Sequence, residues 1–478
     1  MHVVIIGNGV AGVTCARHLR KLSAEARITI VSGESDHHYS RPALMYLYMG
    51  HMRYPDLKPY EDWFWDENRI ELRRGWVDGV DFHARTLSFD GGAEVLHYDK
   101  LVLALGSVTS YYDWPGQDLD GVHGMVTLQD VEAMERHSER GISRAVIVGG
   151  GLIGVEMAEC FHTRRIPVTF LVREHSYWAK VLPPEESAMV SRHIASKHGV
   201  DLRLGAELSE IWGDGQGGVK AVAIKGGGKV MCQFVGITAG VRPNVDWLSL
   251  TGLKVERGIV VDDRLRTNAP HVWAVGDCAQ LATPQPGRRP IEAIWYTARM
   301  QGEVAAHNIL GQSVDYRPGI FFNSAKFFDL EYQVYGEAPA ELPERRRWFY
   351  WEQPGVPPEA GGRAVRLYWD ADSRAATGFH LMGQRYRQEV CEAWIREGTP
   401  IEEVVADLGL ANFDPEFYRE YEPAIVAAFN AQEGTAVKLR TRRGLPAVQR
   451  FLRKLTGRRD HAPAAGPAEA QTHEQHVD

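Results

Sequence analysis

Three glycines near the start of the chain, Gly7, Gly9 and Gly12, stand at the spacing a pyrophosphate-binding turn requires. Gly7 permits the tight turn, Gly9 lets backbone approach a pyrophosphate, and Gly12 allows the following helix to pack on its strand. That helix, entered through Val10 and Ala11, offers unpaired N–H groups to phosphate oxygens. Glu34 follows Gly12 by 22 residues, where a carboxylate can bind ribose hydroxyls. The same pattern returns 142 residues later as Gly149, Gly151 and Gly154, with Leu152 and Ile153 entering the next helix. One such turn is weak evidence; two in one chain, each with its flanking elements, point to two dinucleotides.

The elements that must position these glycines are legible. Val3 to Ile6 is a β-branched run before the first turn, Val13 to Leu22 has a helical pattern, and Ile28 to Val31 is a second strand. Ala145 to Val148, a helix to about His162 and Val168 to Val172 repeat that strand–helix–strand unit. β-rich segments lie between them, Thr86 to Phe89 and Leu101 to Leu105, the second ending in Gly106. Val272 to Val275 is a further strand, ending in Gly276-Asp277. Beyond about residue 320 the composition turns to aromatic-rich strands (Phe321 to Tyr335, Arg347 to Trp351, Ala364 to Trp369). Helices near 385–398 and 415–430 follow, as in a separate domain.

Several further segments complete a resemblance: Tyr39-Ser40-Arg41-Pro42-Ala43-Leu44, Ala104-Leu105-Gly106, Glu156 after the second glycine turn, Ala239-Gly240-Val241-Arg242-Pro243-Asn244, and Ala274-Val275-Gly276-Asp277. In this order they make residues 1 to about 315 resemble the pyridine-nucleotide flavoprotein reductases. That family includes NADH oxidases, ferredoxin and rubredoxin reductases and the flavin part of nitrite reductases. The resemblance implies an α/β fold with two Rossmann-like dinucleotide-binding domains and a C-terminal α+β domain. The FAD domain (1–112 and 241–318) would be interrupted by the NAD(P) domain (113–240), and the C-terminal domain would run over 319–432. It also implies that the first glycine turn binds FAD. Arg41 and Pro42 would line the flavin side, Val77 would meet adenine, and Ala104, Gly106, Gly276 and Asp277 would border the ribityl arm. A helix starting near Ala293 and Trp295 would aim its positive end at the flavin. The second turn, with Glu156 and Gly240, would take NADH or NADPH.

The departures from the family are as informative. The redox cysteine of the disulfide reductases is missing: no CxxxxC follows the first helix, and position 44 is Leu44. Ferredoxin-reductase relatives carry a lysine where Tyr46 stands, paired with the acid that corresponds to Glu156. Tyr46 supplies no cation, so Glu156 is expected to be held less firmly beside the flavin. Val172 replaces the acid that usually binds NADH ribose, and Arg173 follows, as in NADPH-dependent relatives. Arg173 with Glu174 leaves a lean toward NADPH. Tyr46 and Glu156 are the residues expected nearest the chemistry.

Composition narrows the classes. The chain has 478 residues and a net charge of −8, with nine Lys or Arg and no acid between residues 438 and 459, so the remainder carries about −17 (−8 minus 9). An acidic body argues against nucleic acid as a partner. No apolar run is long enough for a membrane span, and structure begins at once from Met1, so a cytoplasmic protein is expected. The nineteen histidines show no metal-ligand spacing, and Cys391 reads as a buried small hydrophobe. Val448, Phe451, Leu452 and Leu455 make 445–456 a short basic amphipathic helix, which would rest on anionic lipid, on its own protein or on a second copy in a homodimer. Residues 460–478 are expected to be disordered. The expected function is transfer of hydride from NAD(P)H to FAD, then of electrons to an acceptor: a small redox protein, a quinone or oxygen. A flavin-bound NAD(P)H sensor of slow turnover is the alternative.

Overall fold

The computed structural model describes residues 1–440, apart from residue 342 and residues 414–418. The basic segment beyond residue 440 and the expected disordered tail therefore lie outside the described residues, as does the start of the helix expected at 415–430.

Two parallel sheets carry the glycine turns. The first has the order Val272–Ala274, Lys100–Leu103, His2–Ile6, Arg27–Ser32, Ile70–Arg74, with every pairing parallel. Val3, Val4 and Ile5 are wholly buried, as a central strand covered on both faces must be. Helix Val10–Leu22 packs beside helix Trp295–Ile309, so the first and last parts of this unit close on each other. A three-stranded antiparallel sheet, Val77–Asp81, Thr86–Phe89 and Glu94–His97, is inserted in the same unit.

The second parallel sheet runs Val200–Leu204, Val168–Val172, Ala145–Val148, Phe234–Ile237, Val122–His123. The chain enters and leaves this unit along one narrow ribbon, where Ser107–Thr109 pairs antiparallel with Val241–Pro243. On entry, residues 126–129 touch the first unit again through Arg41 and Glu34.

Beyond Phe322 the chain forms a five-stranded antiparallel sheet, in the order Phe322–Phe327, Leu330–Gly336, Ala376–Met382, Ala364–Asp370, Arg346–Glu352. The run expected as one strand from Phe321 to Tyr335 is thus two, folded back at Phe328, which sits in the left-handed region (φ 56°). His193 and Lys197 of the second unit hold the adjacent Asp329. Helices Gln388–Arg396, Ile401–Ala406, Leu408–Ala411 and Glu422–Glu433 complete this part.

Arg366 joins the C-terminal sheet to helix Pro184–Ala195. Its guanidinium, 2% exposed, donates to Glu186 at 2.6 and 2.8 Å and to Glu185 at 2.6 Å. Such a buried pair tolerates desolvation only with this many well-placed bonds. No described helix is long and apolar enough to cross a membrane.

Candidate functional site

At the first turn, Gly7 has φ 111°, and a Cβ built on it would lie 2.1 Å from the Ala104 carbonyl oxygen. One on Gly12 would lie 2.1 Å from the carbonyl oxygen of Gly7. A Cβ on Gly9 would meet nothing within 4 Å. Packing therefore demands the two outer glycines, while the middle one borders open space at the helix start. Gly9 caps the helix with no side-chain hydrogen bond, which leaves the first-turn N–H groups of Val10, Ala11 and Gly12 available to an anion. This cradle fits a pyrophosphate.

The second turn repeats the geometry. Gly149 has φ 121°, with a would-be Cβ 2.6 Å from Ala239 backbone; one on Gly154 would lie 2.3 Å from the Gly149 carbonyl oxygen. A Cβ on Gly151 would find only the Thr238 carbonyl oxygen, at 4.0 Å. Helix Leu152–Thr163, through Leu152 and Ile153, likewise starts without a side-chain cap. Gly240 follows the neighbouring strand at φ 133°.

Around the first cradle the expected residues converge unequally. Asp277 lies just past the strand Val272–Ala274, and its Oδ2 accepts from the Ser107 hydroxyl at 2.9 Å. Burial pushes its carboxyl up, against that hydrogen bond and the Arg41 charge. The Gly276 N–H donates to Gln301 at 2.7 Å, tying this turn to helix Trp295–Ile309. That helix begins at Trp295 after Ile294, so Ala293 stands just outside it. Gly106 turns the chain at φ 67° past the strand Lys100–Leu103, and Pro42 sits in the short helix Arg41–Ala43. Val77 opens the strand Val77–Asp81 and packs on the first unit's core.

Glu34 is held by several donors at once. Its carboxylate accepts from both Arg41 nitrogens, at 3.0 and 2.7 Å, from the Leu128 N–H at 3.1 Å and from the Tyr39 hydroxyl. Three of these donors share Oε1 and only one Arg41 nitrogen reaches Oε2, so Oε2 keeps an acceptor position that a ribose hydroxyl could use. Burial pushes this carboxyl up, but Arg41 outweighs it and holds Glu34 below the usual range. Glu34 thus anchors Arg41 and the entry to the second unit.

Tyr46 itself supplies no cation, but one stands near it from outside the local sequence. Lys326, from the C-terminal strand Phe322–Phe327, places its ammonium 5.2 Å from the centre of the Tyr46 ring. It donates to Glu159 at 2.7 Å, one helical turn beyond Glu156. Burial and the Glu159 charge push the Glu156 carboxyl up to about 7, with Lys326 opposing them. The cation comes from another part of the chain and pairs with the next acid along the helix. Nothing in the local sequence around Tyr46 could have signalled it.

Trp76 was also missed. It is 68% exposed, and its indole lies so close to Gly33 that a Cβ there would overlap the ring at 2.2 Å. An aromatic beside Val77 was the available signal. In the second unit, Arg173 stands at the end of Val168–Val172, 63% exposed and 3.3 Å from Glu174, which also pairs with Lys180 at 3.2 Å. All five cysteines are free and buried, and burial pushes the Cys232 and Cys278 thiols up to about 12.

Residues 1–302 match the family model for pyridine nucleotide-disulphide oxidoreductases. The chain is 30% identical over 340 residues to a NADH oxidase of Methanocaldococcus jannaschii, covering 69% of this chain and 75% of that protein. It is 33% identical over 313 residues to the ferredoxin reductase component of a chlorobenzene dioxygenase from Cupriavidus sp. strain PS12, covering 65% and 75%. Among solved structures, the ferredoxin reductase for the CYP199A2 system of Rhodopseudomonas palustris is similar with a TM-score of 0.70 and 26% identity, over 80% of this chain and 91% of that one. With two glycine cradles in place and the matched model spanning well over half of its length, the chain belongs to the pyridine nucleotide-disulphide oxidoreductase family and is an FAD-dependent NAD(P)H oxidoreductase.

Proposed function

We propose that this chain takes electrons from NAD(P)H and delivers them to a small iron–sulfur carrier of the ferredoxin type. The observation that carries the reading is the pair of cradles, one closed in by Glu34 and Arg41 and one open at Arg173, in a chain with a ferredoxin reductase component among its relatives. FAD, when bound, supplies an acceptor for hydride that can release electrons one at a time.

The chain's own residues bind and orient. The N–H groups of Gly9, Val10, Ala11 and Gly12 receive the FAD pyrophosphate, and Asp277 with Ala104, Gly106 and Gly276 borders the ribityl arm. Trp76 and Val77 flank adenine, and Arg41 with Pro42 lines the flavin side. The start of helix Trp295–Ile309, with Ala293 before it, favours negative charge on the reduced ring. Gly149, Gly151, Gly154 and Gly240 receive the exchangeable nucleotide, and Arg173 favours a 2′-phosphate. Glu156, its carboxyl pushed up to about 7, adjusts the charge near the hydride path. The buried thiols offer no accessible nucleophile, in line with electrons leaving for an external carrier. The basic segment 445–456 would rest on anionic lipid or on a second copy; sedimentation with and without anionic vesicles separates these.

Anaerobic assays with NADH and NADPH, offering a [2Fe–2S] ferredoxin, a quinone and oxygen in turn, test the acceptor. Ferredoxin reduction should be fastest. Turnover with oxygen alone would assign the chain to the oxidases.

A further inference from the structure

We infer that Asp120, His123 and His137 form a binding site for a divalent transition-metal ion of the zinc class. The three come from different elements: Asp120 from the loop entering the second unit, His123 from the edge strand Val122–His123, and His137 from the helix Leu128–Arg140. His137 Nε2 lies 3.2 Å from Asp120 Oδ1 and 3.3 Å from His123 Nε2, and all three donor atoms fall within 4.8 Å of one another. Donors about 2.0–2.1 Å from a tetrahedral zinc ion stand about 3.3–3.4 Å apart, so the two short separations match a shared ion.

A plain hydrogen-bonded triad accounts for this less well. His137 Nε2 offers either one proton or one lone pair, yet it has two close polar contacts, the carboxylate and the His123 nitrogen, so neither tautomer gives each contact a full hydrogen bond of its own. One cation on all three lone pairs satisfies each of them.

The surroundings position the donors. Arg140 donates to the other carboxylate oxygen, Asp120 Oδ2, at 2.9 Å and leaves Oδ1 toward the histidines. Both rings rest against Phe234, with centroids 5.8 and 5.9 Å away. Asp130 adds negative charge near His123, while Arg136 and Arg140 oppose a cation. Asp120 is more than half exposed, so a water completes four-coordination. The ion would fasten the entering loop and edge strand to the helix whose first residues touch Glu34.

The test is equilibrium dialysis of the flavin-loaded full chain, free of any affinity tag, against zinc chloride, with metal analysis of the protein. The wild type should retain one equivalent that the double variant His123→Gln with His137→Gln loses, and its thermal midpoint should rise with zinc while the variant's does not. Asp120→Asn, which spares both rings, should weaken zinc by more than the roughly 10- to 100-fold typical of losing an outer partner. Unchanged stoichiometry in the double variant would overturn the proposal and direct attention to His18, Glu303 and His307, the other described cluster of this kind. A wild type that retains no zinc would overturn it as well. Should the double variant fail to hold FAD, the Asp120→Asn titration decides alone.

Discussion

The two cradles share one backbone design but end their second strands differently. In the first, Glu34 is 16% exposed and held by Arg41 and Tyr39, and residues 126–129 of the second unit bond to it. In the second, the strand ends in Arg173, most of whose side chain faces solvent. Under the proposed function, the enclosed cradle would keep a resident cofactor and the open rim would let a substrate nucleotide come and go.

The middle glycines are where the two cradles separate with the largest effect. Gly9→Glu should put bulk and negative charge into the open space at the first helix start and give a colourless protein. Gly151→Glu should give a yellow protein whose flavin NAD(P)H no longer reduces, with a loss of roughly 100-fold or more in kcat/KM. Absorbance after gel filtration and steady-state kinetics check the pair, and loss of flavin in both variants would deny the two cradles separate tasks.

Enclosure itself is tested by Arg41→Ala. Glu34 would lose its two guanidinium bonds, worth on the order of 1.5–3 kcal/mol each to a charged group when buried and less here, because Arg41 is 40% exposed. FAD should dissociate roughly tenfold faster or more, as followed by fluorescence. Arg173→Ala probes the open rim: NADPH should weaken by about 1.5–3 kcal/mol, NADH much less. Equal losses would remove Arg173 from contact with a 2′-phosphate.

The smallest expected effect is on pH. Glu156, pushed up to about 7, binds its proton more tightly folded than unfolded. Its stabilising contribution is therefore complete below its ordinary value of about 4.5 and is lost as pH rises through about 7. Glu156→Gln should flatten the pH dependence of the thermal midpoint between about pH 5 and 8. Lys326→Met removes the opposing cation and should move the midpoint of that dependence upward, as titration of the two proteins would show.

Much of this was legible in the chain. Gly7, Gly12, Gly149 and Gly154 could be read because their roles are local, each set by a carbonyl a few residues away or on a neighbouring strand. Strand ends and helix starts were readable for the same reason. Lys326 was not, because it is 280 residues from Tyr46 (326 minus 46) and meets it only when the C-terminal sheet packs on helix Leu152–Thr163. The engagement of Glu34 was hidden likewise: Leu128 belongs to the other unit. Asp120, His123 and His137 share no metal-ligand spacing, since an edge strand and a helix bring them together.

Anaerobic rapid mixing of the yellow protein with NADH or NADPH shows whether a resident flavin is served by an exchangeable nucleotide. The flavin should bleach, recover its colour when oxidised ferredoxin is added, and stay on the protein through repeated cycles and gel filtration. A flavin that NAD(P)H does not bleach, or that leaves the protein when the nucleotide is exchanged, would contradict this.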